Sequence, residues 1–328
     1  MTTIADHEAD RVARITWSHI TEPGEGLPSE LINSLGAAGA LAAVLDLTQR
    51  DTLVPFVAQF FSATESEHPV ELYAQRALDK WAARHSAADL SKPIPHGVQA
   101  LIPGDEHWPT QLDELDVAMR PIMLWVRGDA SLLASRSVAI VGARACTSYG
   151  EHVTMEIAQD LARAGITVIS GASYGIDGMA HRATLAAGGK TVAVMASGLD
   201  RAYPAGNTEL IERIAATGSL VSELPPGSTP TKHRFAMRSL LITALSSAVV
   251  VTEAGFRSGA LSTVGYTDFI ERPVGAVPGP ITSAASAGTN HLIRERVAVL
   301  VSSGADVLAL LTTEQETNEQ FADLKEQS

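Results

Sequence analysis

One cysteine, Cys146, is all that 328 residues contain. A disulfide framework and a cysteine-built zinc site are therefore excluded. Long apolar runs are missing as well. The uncharged stretches Leu31–Leu45 and Ser239–Thr252 are too short to span a bilayer. Pro273–Ile293 is longer, but its Pro, Gly, Ser, Asn and His content is wrong for lipid. The acidic opening MTTIADHEADR has no apolar h-region, so no secretory signal is expected. No G-x-x-x-x-G-K-S/T run occurs, which excludes a P-loop. The expectation is a cytoplasmic protein without a membrane partner, a metal or a cofactor.

What is present is ordinary globular chemistry, with 45% apolar and 19% charged residues. The length suggests two domains and a tail. The net charge of −13 is unevenly spread. Residues 1–120 carry 18 acidic and 8 basic side chains, whereas residues 121–310 carry 14 and 15. The middle of the chain is the region that could hold a polyanion without strong repulsion. There, Lys232, Arg234, Arg238 and Arg257 face one acid, Glu253, between Pro225 and Ser258. A solvated basic loop would have the same composition.

Residues 1–96 read as short helices and a linker. Leu31, Ile32, Leu35, Ala38, Leu41, Ala42 and Leu45 recur at helical spacing, interrupted by Gly36 and Gly39. Val70–His85 places Leu72, Ala74, Ala77 and Leu78 on a loose stripe. Residues 86–120 are proline-broken, and Trp108 and Leu112 are candidates to dock them on the next domain. Beyond Pro121, apolar runs alternate with helical segments. The runs are Ser137–Gly142, Ile166–Gly171, Thr191–Ala196, Leu220–Glu223, Ala248–Glu253 and Val274–Val277. The helical segments are Gly150–Ala164, Ile176–Ala187, Asn207–Ala216, Phe235–Leu245 and Leu261–Glu271. This alternation predicts a doubly wound α/β sheet, mostly parallel, over residues 97–310. Its ligands belong outside the carboxyl ends of the strands. Residues 311–328 form an acidic tail.

The strand ends carry the chemistry. SVAIVGARACTSYG ends a strand at Gly142 and starts a helix near Tyr149. It has no G-x-G-x-x-G fingerprint of nicotinamide binding. Ser148 and Glu151 have capping-box spacing, which predicts a free helix start beside Arg144. A guanidinium there can fork onto a phosphate or pair with a local carboxylate. In SGASYGIDGMAHR, Asp177 and His181 are four apart, either as acid–base machinery or as a bond that fixes the loop. GLDRAYPAGN reads as a rigid turn shaped by Asp200, Tyr203, Pro204 and Asn207. Lys232, His233, Arg234 and Arg238 surround the start of a helix, with Phe235 among them. Cations that track phosphates beside a ring that stacks on a base suit a single strand, and Phe235 could equally be core. EAGFRSGALST adds a third helix start, at Ser258 and Gly259.

Together with LVSELPPG and AVPGPITSAASAGTNHLIR, these motifs resemble the DNA-processing protein A family (DprA/Smf) over about residues 102–310. The resemblance implies an extended Rossmann-like domain behind a small helical domain of the sterile-alpha-motif kind. It implies single-stranded DNA as ligand, a homodimer, and help in loading RecA recombinase during natural transformation, with no catalytic residues. Carried over by motif, the DNA-binding candidates are Gly142, Arg144, Ser170, Gly171, Gly175, Lys232, Arg234, Phe235, Arg238, Ser258 and Gly259. Asp177 and His181 would fix a loop. Ser239 and Leu240 stand where the family usually has Asn and Arg, which would remove an amide and a charge near the groove. The helix around Ser239–Leu245 and the last strands, with Val297, Val299 and Leu300, are candidates for the dimer surface. Two other classes compete: a nucleotide-binding or phosphoribohydrolase-like enzyme using Glu253 or Asp177, and an adaptor acting through the N-terminal part.

Overall fold

The computed structural model describes residues 4–46, 50–59, 70–88, 90 and 93–311. Of the expected acidic tail only Leu311 falls within them, and it is buried; the rest of the tail and the side chain of Leu72 lie outside.

The helical part comprises α1 (Ile4–Ile20), α2 (Gly26–Leu35), α3 (Ala37–Leu45), α4 (Arg50–Ala58) and α5 (Val70–Ala87). The helical spacing across Leu31–Leu45 is real, but it belongs to two helices. Gly36, at φ 71° and ψ 158°, ends α2 and starts α3. The two helices meet at 111°. No single helix among the described residues is long and apolar enough to cross a membrane. The core of this part gathers on Trp17 and Trp81, whose rings meet edge to face at 5.7 Å. The Trp17 indole donates to the Ala37 carbonyl at 3.1 Å, which satisfies a polar atom in a dry core.

The sheet comes next, built from β1 (Val98–Leu101), β2 (Leu124–Gly128), β3 (Ser137–Gly142), β4 (Thr167–Ser170), β5 (Thr191–Val194), β6 (Ser219–Ser222), β7 (Ala248–Glu253), β8 (Val274–Ala276) and β9 (Val299–Leu300). Interleaved are α6 (Ser148–Arg163), α7 (Ile176–Ala186), α8 (Thr208–Thr217), α9 (Lys232–Leu245), α10 (Ala260–Gly265) and α11 (Ala287–Arg294). The order is β1-β2-β6-β5-β4-β3-β7-β8-β9. β1 and β2 run antiparallel at one edge, and every pair from β6 to β9 is parallel. The six expected strands are all in the sheet. Their residues are almost all buried, as parallel strands covered on both faces require. The expectation of an α/β, mostly parallel, Rossmann-like sheet behind a helical part therefore holds.

Strands β1 and β2 were not expected, and β1 lies within the proline-broken stretch that reads as a connector, whereas β9 falls where the last strands, with Val299 and Leu300, were read. Trp108 and Leu112 do dock, buried in the largest core cluster. The helix expected over Leu261–Glu271 stops at Gly265 and gives way to a 3₁₀ turn. The chain reverses its direction of growth across the sheet between β3 and β7, so the topological switch point lies at their carboxyl ends.

The helical part is tied to the sheet by α1. Arg11 donates to the Ala100 carbonyl at 2.8 Å and forks onto Asp105 at 2.7 and 2.9 Å. Arg14 reaches the Ile122 carbonyl at 2.6 Å. Burial pushes the Asp105 carboxyl up. Arg11, the Ile102 amide and His7 outweigh that and hold it at about 2. The pKa is depressed on folding, so the contribution is complete above the unfolded value near 3.8 and is lost as pH falls toward 2. Asp105→Asn is expected to cost about 2 kcal/mol at pH 7, read as a lowered Tm, with the gap to wild type closing between roughly pH 4 and 2.

Candidate functional site

A cleft of about 1030 Å³ opens at the switch point. Four segments line it: Val141–Ala145 at the end of β3, Ser173 and Asp177 beyond β4, the first two turns of α9, and Gly255–Thr263 beyond β7. Arg144, Lys232 and Arg257 are exposed on its walls and make no salt bridge among the described residues. Phe235 stands between two guanidinium groups, with Arg144 Cζ 4.9 Å and Arg238 Cζ 5.4 Å from its ring centroid. Both lie within cation–π range. Tyr203 approaches the same ring at 6.1 Å.

The helix start beside Arg144 is not a free anion site. The cap is Thr147, not Ser148, and Thr147 Oγ1 accepts from the Gly150 amide at 3.3 Å. The Thr147 amide and hydroxyl then donate to the two carboxylate oxygens of Glu253, at 2.7 and 2.6 Å. Glu253 is buried at the end of β7. Its carboxylate sits where an incoming anion would, at the positive end of α6. A Cβ on residue 150 would lie 2.6 Å from Glu253 Oε2, so Gly150 leaves the room this plug needs. The start of α10 also carries no anion site, because the helix is six residues long and Ser258 Oγ already accepts from the Ala260 amide at 3.3 Å.

Arg238 is a frame residue. Its side chain is 10% exposed. It donates from Nη1 to the Gly171 carbonyl at 2.7 Å and to Ser173 Oγ at 3.2 Å, with Asp177 Oδ2 at 3.8 Å. Burial pushes the Asp177 carboxyl up, against the pull of Arg238 and Ser173. Gly171 is where Arg238 packs: a Cβ there would fall 1.9 Å from Nη1. Gly175 holds φ +73°, and a Cβ there would strike the Ala143 carbonyl at 2.2 Å. The loops after β3 and β4 therefore seat directly on each other, through the Ile176 amide and Ala143 carbonyl at 3.1 Å. Ser170 Oγ donates to the Ile140 carbonyl at 2.6 Å in the core. The expected rigid turn holds this frame from outside. Asn207 Nδ2 donates to the Ala172 and Ser173 carbonyls at 2.9 and 3.1 Å, next to Ala172 at φ 53°.

Asp177 and His181 do not bond to each other. His181 is fully buried, with Nδ1 2.7 Å from Thr191 Oγ1, whose hydroxyl donates to the Val168 carbonyl at 2.6 Å. Nδ1 is therefore the donor. Burial, followed by Arg182 and Arg238, pulls the ring down to about 3, and it is neutral at physiological pH. His181 joins α7 to β5 and faces no cleft.

Arg234 turns away from the cleft. Nε and Nη2 fork onto Glu22 at 2.8 Å each, and Nη1 donates to the Thr229 carbonyl at 2.6 Å. Of the sequence candidates, the cleft thus gathers Gly142, Arg144, Lys232, Phe235, Arg238, Ser258 and Gly259, with Asp177 at its floor. Ser170, Gly171 and Gly175 frame it from below, and Arg234 lies outside it. Ser239 lines the cleft, whereas Leu240 is buried in the core, so an arginine at position 240 would not reach the groove from this backbone. Ser239–Leu245 is buried throughout and supplies no apolar outer surface. In sequence Arg257 counts among the local charges, but its motif did not carry it to the site. Nothing in the sequence flags Glu22, 212 residues from its partner.

Known proteins share the sequence and the fold of this chain. A Mycobacterium tuberculosis relative is 43% identical over 246 residues, which span 72% of this chain and 62% of its own length. The DNA processing protein DprA of Streptococcus pneumoniae is 40% identical over 205 residues, 62% of this chain and 71% of the relative. The X-ray structure of that protein superposes with a TM-score of 0.71 at 31% identity, covering 92% of this chain and 97% of its own. A DprA structure from Helicobacter pylori, which concerns its single-stranded DNA binding mode, superposes with a TM-score of 0.59 at 29% identity, covering 66% and 96%. The sequence model described as DNA recombination-mediator protein A matches residues 99–312, and this chain belongs to that family.

Proposed function

We propose that the cleft binds single-stranded DNA through its sugar–phosphate chain and that the protein assists loading of the RecA recombinase onto that strand. The observation that carries the reading is three exposed cations, Arg144, Lys232 and Arg257, converging on one cleft at the switch point without salt bridges among the described residues. An anionic molecule that leaves these side chains unneutralised in one place has an electrostatic footprint for a polyanion. Arg144 moves to a phosphate when the strand arrives, and a base takes its place over Phe235. The structure from Helicobacter pylori, which concerns single-strand binding by a relative, supports the same ligand. Loading of RecA rests on the family membership alone.

The role is binding rather than catalysis. The competing hydrolase reading relied on Glu253 or Asp177 to polarise a ribosyl bond. Both carboxylate oxygens of Glu253 are bonded to Thr147, and Asp177 is buried beneath Arg238. Glu253 is thereby occupied, and Asp177 reaches the cleft only at its floor, 5% exposed and beside Arg238. A homodimer would form through the β9 edge of the sheet. Val297, Val299 and Leu300 are 47%, 58% and 50% exposed there, beside an unpaired strand edge.

Neutralising three phosphates, a labelled single-stranded oligonucleotide should bind with a slope of log K against log salt near −2. Arg144→Ala should weaken binding to any base sequence alike and flatten the slope by roughly 0.7. A salt-independent affinity would sink the reading. Phe235→Ala should cost about 5-fold to 150-fold in affinity, the range for loss of one stacked base. Leu300→Asp should halve the mass seen in sedimentation velocity; an unchanged mass would move the dimer face elsewhere.

A further inference from the structure

Arg234 lies in the first turn of α9, between Lys232 and Phe235, both of which line the cleft. Its guanidinium is nevertheless forked onto Glu22, in the turn after α1. Neighbouring contacts seat the same turn on α9. His233 Nε2 lies 2.9 Å from the Pro23 carbonyl, and the Met237 sulfur packs on Gly24. From behind, Arg84 on α5 approaches Glu22 and Glu25 at 4.0 and 3.5 Å and donates to the Ile20 carbonyl at 2.9 Å. The helical part therefore presses one carboxylate against a cation whose chain neighbours, Lys232 and Phe235, line the cleft.

A guanidinium forks onto a carboxylate and onto a phosphate with the same pair of parallel N–H donors. A strand phosphate that reached Arg234 would compete with Glu22 for those donors. Two ligands that compete for one group lower each other's affinity by the same factor. Resting on the reading of the cleft as a single-strand site, we propose that Glu22 acts as a built-in phosphate mimic: it latches the helical part onto Arg234 and sets how tightly the cleft holds DNA. Strand binding recruits Arg234 and loosens the Glu22–Glu25 turn. A docked turn weakens the strand in return.

The test uses the full chain and a labelled single-stranded oligonucleotide at several salt concentrations. Glu22→Gln keeps the size of the side chain and removes its charge. It should bind about 5-fold or more tightly, the lower end of typical coupling. Its salt slope should steepen by roughly 0.7 as one more phosphate is held. In an Arg234→Ala background the same substitution should change nothing, because the competing cation is gone. Equal or weaker binding by folded Glu22→Gln, or a gain that survives without Arg234, overturns the proposal. Hydrogen exchange on the unaltered protein is a second readout, independent of how the variants fold. Protection of the Glu25 amide, which donates to the Glu22 carbonyl at 3.1 Å, should fall at saturating oligonucleotide, and unchanged protection counts against the latch. Wild type and Arg144→Ala measured side by side test the cleft itself. If those two bind alike, the single-strand reading fails, whereas a normal Arg144 effect with no Glu22 effect removes the latch alone.

Discussion

The cleft depends on the carboxylate of Glu253. It ends β7 at the point where the sheet reverses, and both of its oxygens are bonded to Thr147 at the start of α6. The Glu253 carbonyl accepts from the Ala143 amide at 2.7 Å. One residue thus joins β3, β7 and α6. The chain between Gly142 and Thr147 must arch outward, which places Arg144 on the cleft wall. A buried carboxylate stripped of its donors would cost about 3–5 kcal/mol, so the loop has little freedom to relax elsewhere. The same bond fills the positive end of α6 from within. On the proposed reading, a strand's phosphates would then be met by side-chain cations at the rim instead of by helix amides.

Those cations divide according to what surrounds them. Arg144, Lys232 and Arg257 project into solvent. Arg238 is buried against Gly171, Ser173 and Asp177, and Arg234 is held by Glu22. In sequence they are one basic cluster. In space they are three open positions, one structural pin and one position shared with the helical part. The acidity of that part acquires a location here: Glu22 and Glu25 gather at the turn on α9, where Arg84, Lys80 and Arg234 meet them.

The parallel sheet was legible because each of its buried strands must be apolar on both faces, which leaves short continuous runs such as SVAIVG and AVVVTE. The antiparallel edge was not, because β1 lies within the proline-broken stretch that reads as linker and β2 stands between 3₁₀ turns without a helix of its own to complete the alternation. Helix ends moved by a few residues for local reasons. Thr231 caps α9, its Oγ1 accepting from the Arg234 amide, and so draws Lys232 and His233 into the first turn. The Asp177–His181 pairing illustrates the limit of spacing. Four residues apart on a helix is the right distance for a bond, yet His181 turns to Thr191 on the neighbouring strand.

By itself the amino-acid sequence determined the fold class, the family and the set of loops that meet at one rim of the sheet. Hydrophobic period, glycine placement and turn chemistry are local properties, and crossover handedness leaves few ways to assemble them. Only the tertiary structure decided which polar groups pair. Glu253 with Thr147, Arg238 with Gly171 and Arg234 with Glu22 are contacts between segments 67 to 212 residues apart. Such pairings result from where the packed elements place their ends, and the electrostatics of a side chain is set by those neighbours and not by its position in the chain.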